Sequence, residues 1–167
     1  MYLEIGWPDF FKRGNEMIDS MDLIKELKDI SLLETEDQCI KFEEIFAELY
    51  KRDDAKEYLE DLLEVFDDDV EAEEVMWSLL HYIETMPLHL LYKKILFKIE
   101  YLLNNAEYWT ETIHYRMLND DEAREVYKIL FDDSNDQTKS LVKDLLNKIK
   151  NEDAVRFESK VDYVLGE

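Results

Sequence analysis

Carboxylates and histidines are the residue types here best suited to chemistry, and one pair has a spacing used by metal sites. Glu111 and His114, in "ETIH", form a Glu-x-x-His pair on one face of a helix. Di-iron helix bundles use two such pairs together with two further glutamates. No second Glu-x-x-His occurs, and "HYIE" has the reverse order. We therefore interpret Glu111 and His114 as helix-surface contacts and expect no metal.

A second candidate, "DDSND", places Asp132, Ser134 and Asp136 where a calcium loop has its first three ligands. That loop also requires glycine at its sixth position and glutamate at its twelfth. The chain has Gln137 and Lys143 there, so the stretch is typical of a turn between helices.

Nucleophilic chemistry has one candidate, the single cysteine Cys39. It falls in an apolar helical stretch, which favours a buried, inert thiol. The sequence has no glycine-rich phosphate loop, no HExxH and no Cys-x-x-Cys. We predict no catalytic centre and no cofactor, so the chain is not expected to be an enzyme.

The most unusual stretch is acidic: "EVFDDDVEAEEVMW" runs from Glu64 to Trp77 without a lysine or arginine. Between residues 34 and 74 there are 18 acidic and 4 basic residues, a balance of −14 out of the chain's −22. Such charge repels nucleic acid and attracts basic proteins. The alternative is a solvated rim around a buried tryptophan. A carboxylate-ringed aromatic anchor is the pattern behind our predicted partner-binding surface: Asp53, Asp54, Glu57, Glu60, Asp67, Asp68, Asp69, Glu71, Glu74 and Trp77.

The composition predicts one all-α domain over residues 1–167. The hydrophobic fraction is 46%, enough for a core, whereas three glycines and two prolines are too few for most β-rich or Rossmann-type folds. The start, "MYLEIGWPDF", does not resemble a secretory signal, and no run of 18 apolar residues occurs. With a single cysteine, these features indicate a cytoplasmic protein.

Apolar spacing predicts eight or nine helices joined by short turns. Thr35 and Gln38 form a capping box for the second helix, and Asp53 or Asp54 is expected to cap the third. A fourth runs from about Glu71 to Met86, and one continuous apolar helix follows Pro87. We expect stacked antiparallel pairs, HEAT-like, over 35–66, 71–103, 107–131 and 137–165. An irregular helical bundle is the alternative.

Residues 76–133 carry a resemblance to a known family. The Ile83-Glu84 pair and the run Trp109-x6-Arg116-x-Leu118-Asn119 resemble an all-α immunity-protein family of bacterial polymorphic-toxin and contact-dependent inhibition systems, immunity protein family 30. The resemblance implies neutralisation of a cognate toxin, often a nuclease. Because nucleases carry basic substrate grooves, the acidic surface predicts a basic toxin domain as the partner. A helical-repeat scaffold or regulatory adaptor is the alternative function.

The same motif residues have a structural interpretation that does not need the family. Asn119 before "DDE" is expected to cap a helix, and Trp109 lies on an apolar helix face. Arg116 needs a carboxylate, for which Glu84 on a neighbouring helix is a candidate. We therefore assign the motif to the scaffold and expect the acidic surface to contact the partner.

Overall fold

The computed structural model describes residues 18–167 and the backbone of residues 12–13 and 16–17. Strands β1 (Lys12–Arg13) and β2 (Glu16–Met17) pair antiparallel. Most of residues 18–167 are helical, which confirms the all-α prediction. The opening residues, where we expected no secretory signal, lie outside the described part. The ten α-helices of the described residues are α1 (Ser20–Asp29), α2 (Glu36–Leu49), α3 (Leu59–Leu63), α4 (Glu73–Ile83), α5 (Leu88–Phe97), α6 (Ile99–Asn105), α7 (Glu107–Asn119), α8 (Asp121–Asp132), α9 (Asp136–Glu152) and α10 (Ala154–Leu165).

Several helices pack against helices that are not their immediate neighbours in the sequence. Helix α2 contacts α4, α3 contacts α5, α5 contacts α8, and α8 contacts α10, while α7 also packs against α9. Within the C-terminal half, α7 contacts α8 and α9 contacts α10. The buried side chains form one cluster that extends from Ile18 to Val164. The more specific HEAT-like interpretation stays a prediction.

The helix count exceeds the expected eight or nine because the apolar helix after Pro87 is broken. Lys98 leaves helical geometry at φ −96° and ψ 7°, and its N–H is shared between the carbonyls of Lys94 and Ile95. Helix α6 then starts at Ile99. No glycine or proline marks this break, so the sequence pattern could not reveal it.

The third helix begins differently from the expectation. Asp54 does not cap it, because its carboxylate accepts a 2.7 Å hydrogen bond from the hydroxyl of Ser20, and Asp53 does not cap it either. A 3₁₀ turn over Ala55–Tyr58 precedes α3 instead. Phe66 lies beyond the end of α3 and is buried.

Two further helix starts are displaced by interactions between segments. Helix α4 begins at Glu73, not Glu71, because the Glu71 N–H is donated to the carbonyl of Leu32 at 2.9 Å. Helix α8 is capped by Asp120, not Asn119, and the Asp120 carboxylate accepts from the Ala123 N–H at 2.8 Å. Thr35 is confirmed as the cap of α2, since it accepts from the N–H of Gln38. The Gln38 side chain accepts from the N–H of Glu34, not from that of Thr35, so the reciprocal half of the capping box is displaced by one residue.

We expected His114 on the helix surface, but its side chain is completely buried. One ring nitrogen lies 2.7 Å from the carbonyl of Thr110 and the other lies 2.8 Å from the hydroxyl of Tyr127. Its expected companion, Glu111, instead binds Lys148 on α9. Burial lowers the pKa of His114 to about 4, because the charged imidazolium cannot be solvated there. The hydrogen bond between His114 and Tyr127 joins α7 to α8 within the core, and both ring nitrogens of His114 have a partner.

This burial predicts a pH-dependent stability. Between pH 6.5 and pH 4 the unfolded chain binds a proton at His114 more readily than the folded chain does, so stability decreases as the pH falls. We expect the loss to reach about 3 kcal/mol at pH 4. Urea unfolding of the natural chain and of His114→Gln, measured at pH 7, 5.5 and 4, would isolate it. The variant should show a shallower decrease, and equal slopes would exclude His114 as the source.

Candidate partner-binding surface

The segment of residues 67–74, here called the acidic turn, connects the end of α3 to α4. It packs against the start of α7. The Asp68 carboxylate accepts hydrogen bonds from the N–H groups of Tyr108 at 3.0 Å and Trp109 at 3.4 Å. Helix α7 has no capping side chain from its own N-cap residue, Ala106. Asp68 therefore serves as its cap from 40 residues away in sequence.

Trp109 fixes the acidic turn from inside. Its side chain is fully buried, and its indole N–H donates to the Asp67 carbonyl at 3.0 Å. Phe66 stacks on the indole with ring centroids 5.5 Å apart, and Trp77 meets it edge-on at 5.6 Å. Tyrosine and tryptophan N–H and O–H groups normally require such partners when buried. The acidic turn is thus held by both backbone and aromatic contacts.

Trp77 is half-buried and connects the acidic turn to the family motif. The Arg116 guanidinium lies 5.9 Å from the centre of its ring, a cation–π distance. Arg116 also donates two hydrogen bonds to the carboxylate of Glu84, one of them at 2.7 Å. The predicted ion pair between Arg116 and Glu84 is therefore confirmed. It places motif and acidic turn side by side, so the two are not separate regions.

The other motif residues divide between core and surface. Ile83 and Leu118 are buried without measurable exposure, as Trp109 is. Asn119 is exposed, and its side-chain oxygen accepts from Lys160 at 2.6 Å. It therefore ties α7 to α10 instead of capping α8.

The predicted surface residues fall into two groups. Several are occupied internally: Asp54 binds Ser20, Glu60 pairs with Lys94, the Asp67 carboxylate accepts from the N–H of Asp69, and Asp68 caps α7. Five others are exposed, and within residues 18–167 their carboxylates have no bonding partner: Asp53, Glu57, Asp69, Glu71 and Glu74. Asp54 lies against α1 and Glu60 against α5, so the structure does not gather the full predicted set at one place.

Lys94 of α5 and Lys98, the residue that follows α5, both pair with carboxylates in and after α3. Lys94 pairs with Glu60, and Lys98 pairs with Glu64. Lys28 of α1 also reaches Glu64, at 2.7 Å. Partial burial raises the pKa of the Glu64 carboxyl, but hydrogen bonds from the two lysines outweigh this and hold it below its usual value. These pairs fasten α3 between α1 and α5.

Sequence reasoning missed Glu73, Tyr92 and Asp120. The Tyr108 hydroxyl donates to Glu73 at 2.5 Å. Tyr92 and Asp120 lie beside Arg116 at the wall of one cavity. A tyrosine within the apolar run "LHLLYKKILF" was the signal for Tyr92, since a buried hydroxyl needs a partner.

The described residues contain no group of three or more histidine, cysteine or acidic side chains placed to hold a metal ion. Cys39 is half-buried, with its sulfur 3.9 Å from the Leu33 carbonyl. Between residues 18 and 167, no helix combines the length and hydropathy needed to cross a bilayer.

Fold and site together define an all-α protein in which an acidic turn is anchored on a buried tryptophan. The family model described as Immunity protein 30 matches residues 29–127, more than half of the 167-residue chain. The chain belongs to the immunity protein 30 family, as the motif residues indicated. The match includes the acidic turn and the Arg116–Glu84 pair, whereas α9 and α10 lie beyond it. Comparison with curated proteins and with solved structures gave no match.

The remote cap on α7 leads to a stability prediction. Asp68→Ala should lower the free energy of unfolding by about 1 kcal/mol, the usual effect of losing an N-cap. Asp68→Asn keeps one of the two acceptor oxygens and should retain part of this stabilisation. Asp69→Ala is the matched control and should change the free energy by less than about 0.5 kcal/mol. Urea denaturation measures all three, and equal losses at positions 68 and 69 would contradict the capping role.

Proposed function

We propose that this protein neutralises a cognate bacterial toxin by binding it, with the acidic turn as the central contact. Membership of the immunity protein 30 family supports the neutralising role. The free carboxylates of Asp69, Glu71 and Glu74 beside half-buried Trp77 support the place of contact. An aromatic side chain within a rim of charge is a common arrangement at protein interfaces.

The proposed partner is the basic toxin domain of a polymorphic-toxin or contact-dependent inhibition system, and a nuclease fits best. Nucleases bind a polyanion, so their substrate grooves collect lysine and arginine. A protein with net charge −22 is attracted to such a groove. The segment 34–74, which includes the acidic turn, holds most of this charge, and this supports an attraction centred on that part of the chain.

In this proposal the protein acts as a single cytoplasmic domain and by occupancy, not by turnover. Neutralisation should then be stoichiometric. Increasing amounts of the protein, added to a fixed amount of the toxin domain from the same operon, should reduce nucleic-acid cleavage in proportion until one equivalent is present. Complete protection at a small fraction of an equivalent would indicate an enzyme instead.

Capture experiments separate this function from the alternative of a scaffold or adaptor. The tagged protein, incubated with host lysate at about 0.1 M and about 0.5 M salt, should retain one stoichiometric protein with a basic C-terminal domain. Salt should reduce the amount bound, because exposed charges are screened within about 10 Å at 0.1 M and about half that at 0.5 M. Several substoichiometric partners would favour the adaptor.

The contact surface can be tested by charge removal. Asp69→Asn, Glu71→Gln and Glu74→Gln combined should slow association with the toxin about tenfold at 0.1 M salt, since local charge governs the association rate. The fold should be unaffected, because these carboxylates are free of bonding partners in the part of the chain that the structure describes.

A matched control removes the same charge elsewhere. Glu122, Glu125 and Asp133 are exposed along α8 and at its C-terminal end. Replacing them with the corresponding amides removes three negative charges, as the acidic-turn variant does. This control should slow association by less than about threefold, the effect of net charge alone. Stopped-flow association kinetics measure both. Equal slowing in the two variants would rule out the acidic turn as the contact.

A further inference from the structure

A surface cavity of about 390 Å³ lies beside the Arg116–Glu84 pair. Its walls come from the end of α4, the start of α5, and the junction between α7 and α8. Leu88, Leu91 and Ala123 supply apolar surface. The cavity thus offers an apolar wall next to charged groups, an arrangement suited to a side chain with an alkyl stem and a polar end.

Tyr92 is the notable group in this cavity. Its side chain is buried, with 6% of the residue exposed, and its hydroxyl has no hydrogen-bond partner among the described residues. Within residues 18–167, no side-chain nitrogen or oxygen is both sealed from solvent and unpartnered. The Tyr92 hydroxyl must therefore open into the cavity that its residue lines. Buried hydroxyls are normally paired, so this one is available to a ligand.

The charged side chains that line the cavity are two carboxylates, Glu84 and Asp120, and one guanidinium, Arg116. Burial is the main cause that raises the pKa of Tyr92, and the carboxylates of Glu84 and then Asp120 raise it further. Arg116 opposes them with the smallest effect, since its guanidinium already binds Glu84. Lys160 of α10 is engaged by the side-chain oxygen of Asn119, another residue of the cavity lining. A neighbourhood dominated by carboxylates favours a cation.

Asp120 has an acceptor to spare. Its Oδ1 atom accepts from the Ala123 N–H and thereby caps α8. Its second oxygen takes part in no hydrogen bond within the described part of the chain. Tyr92 and Asp120 together can accept hydrogen bonds from a planar cation that enters along Leu88 and Leu91.

We propose that this cavity receives an arginine side chain of the partner protein, with its guanidinium bound by the Tyr92 hydroxyl and the Asp120 carboxylate. The alkyl stem lies on Leu88 and Leu91. Arginine fits better than lysine because its planar group carries five donors and keeps them in fixed directions. This inference rests on the proposed function for its partner. It adds a second contact next to the acidic turn, since Arg116 touches both Glu84 and Trp77.

The cavity can be tested without the toxin. The probe is n-butylguanidinium, titrated into the isotope-labelled protein and followed by amide chemical shifts. A dissociation constant on the order of 1 mM is expected for a ligand of about eight heavy atoms. The shifts should centre on Tyr92, Asp120 and Ala123. The uncharged n-butylurea should not bind, and n-butylammonium should bind more weakly. Shifts confined to the acidic turn, or equal binding of the urea, would overturn the site.

Two conservative variants test the assigned groups. Tyr92→Phe removes only the hydroxyl, and Asp120→Asn removes the charge but keeps an N-cap residue. Each should weaken n-butylguanidinium binding about tenfold, the effect of one hydrogen bond to a charged group. Matched controls are Tyr163→Phe, an exposed tyrosine, and Asp153→Asn, the N-cap of α10. The controls should leave binding unchanged, and unchanged binding in the cavity variants would overturn the assignment.

Binding measurements with the toxin domain distinguish this inference from the proposed function. If the toxin domain does not bind the natural protein at all, the proposed function fails, while the titration still judges the cavity. If the toxin binds, Tyr92→Phe and Asp120→Asn should each accelerate its dissociation about tenfold, because a buried contact acts on the dissociation rate. Toxin binding that neither variant changes would overturn the partner arginine.

Discussion

The hydrogen bond from the Trp109 indole to the Asp67 carbonyl is the contact around which the rest is arranged. It joins a fully buried ring in α7 to a charged loop that carries three consecutive aspartates. Without it, the loop would have little reason to lie close to the core, since mutual repulsion drives its carboxylates apart. Phe66 and Trp77 pack on the same indole and extend this anchor to the end of α3 and into α4. The contacts of Trp109 thus fix the conformation of the acidic turn.

The acidic composition is used in two different ways. Some carboxylates hold helices together: Glu60 binds Lys94 of α5, Glu64 binds Lys98 at the end of α5, and Asp68 binds the start of α7. Others, such as Asp69 and Glu74, are exposed and unbonded among the described residues. The two kinds alternate within a few positions, so net charge alone does not distinguish a structural acid from one available to a partner.

Apolar spacing was sufficient to predict the fold class and most helices, because each amphipathic face has to reach the core. Thr35 as a cap and Glu84 as the partner of Arg116 could also be predicted, since both follow from local spacing or charge. Several failures have a common origin. Contacts between distant segments hold Glu71 before the start of α4 and supply the cap of α7. A single sequence shows residue types along one line, whereas these contacts join residues tens of positions apart.

The position of Asp68 has a consequence for how this surface can change over generations. Because Asp68 closes the first turn of α7, a substitution there alters folding as well as charge, so selection on the fold constrains it. The carboxylate of its neighbour Asp69 has no bonding partner within residues 18–167, so the fold does not constrain the residue type at this position. The acidic turn therefore contains an aspartate that the fold uses next to carboxylates that are unbonded among the described residues. A protein built this way can follow an altered partner by successive charge substitutions while its backbone stays the same.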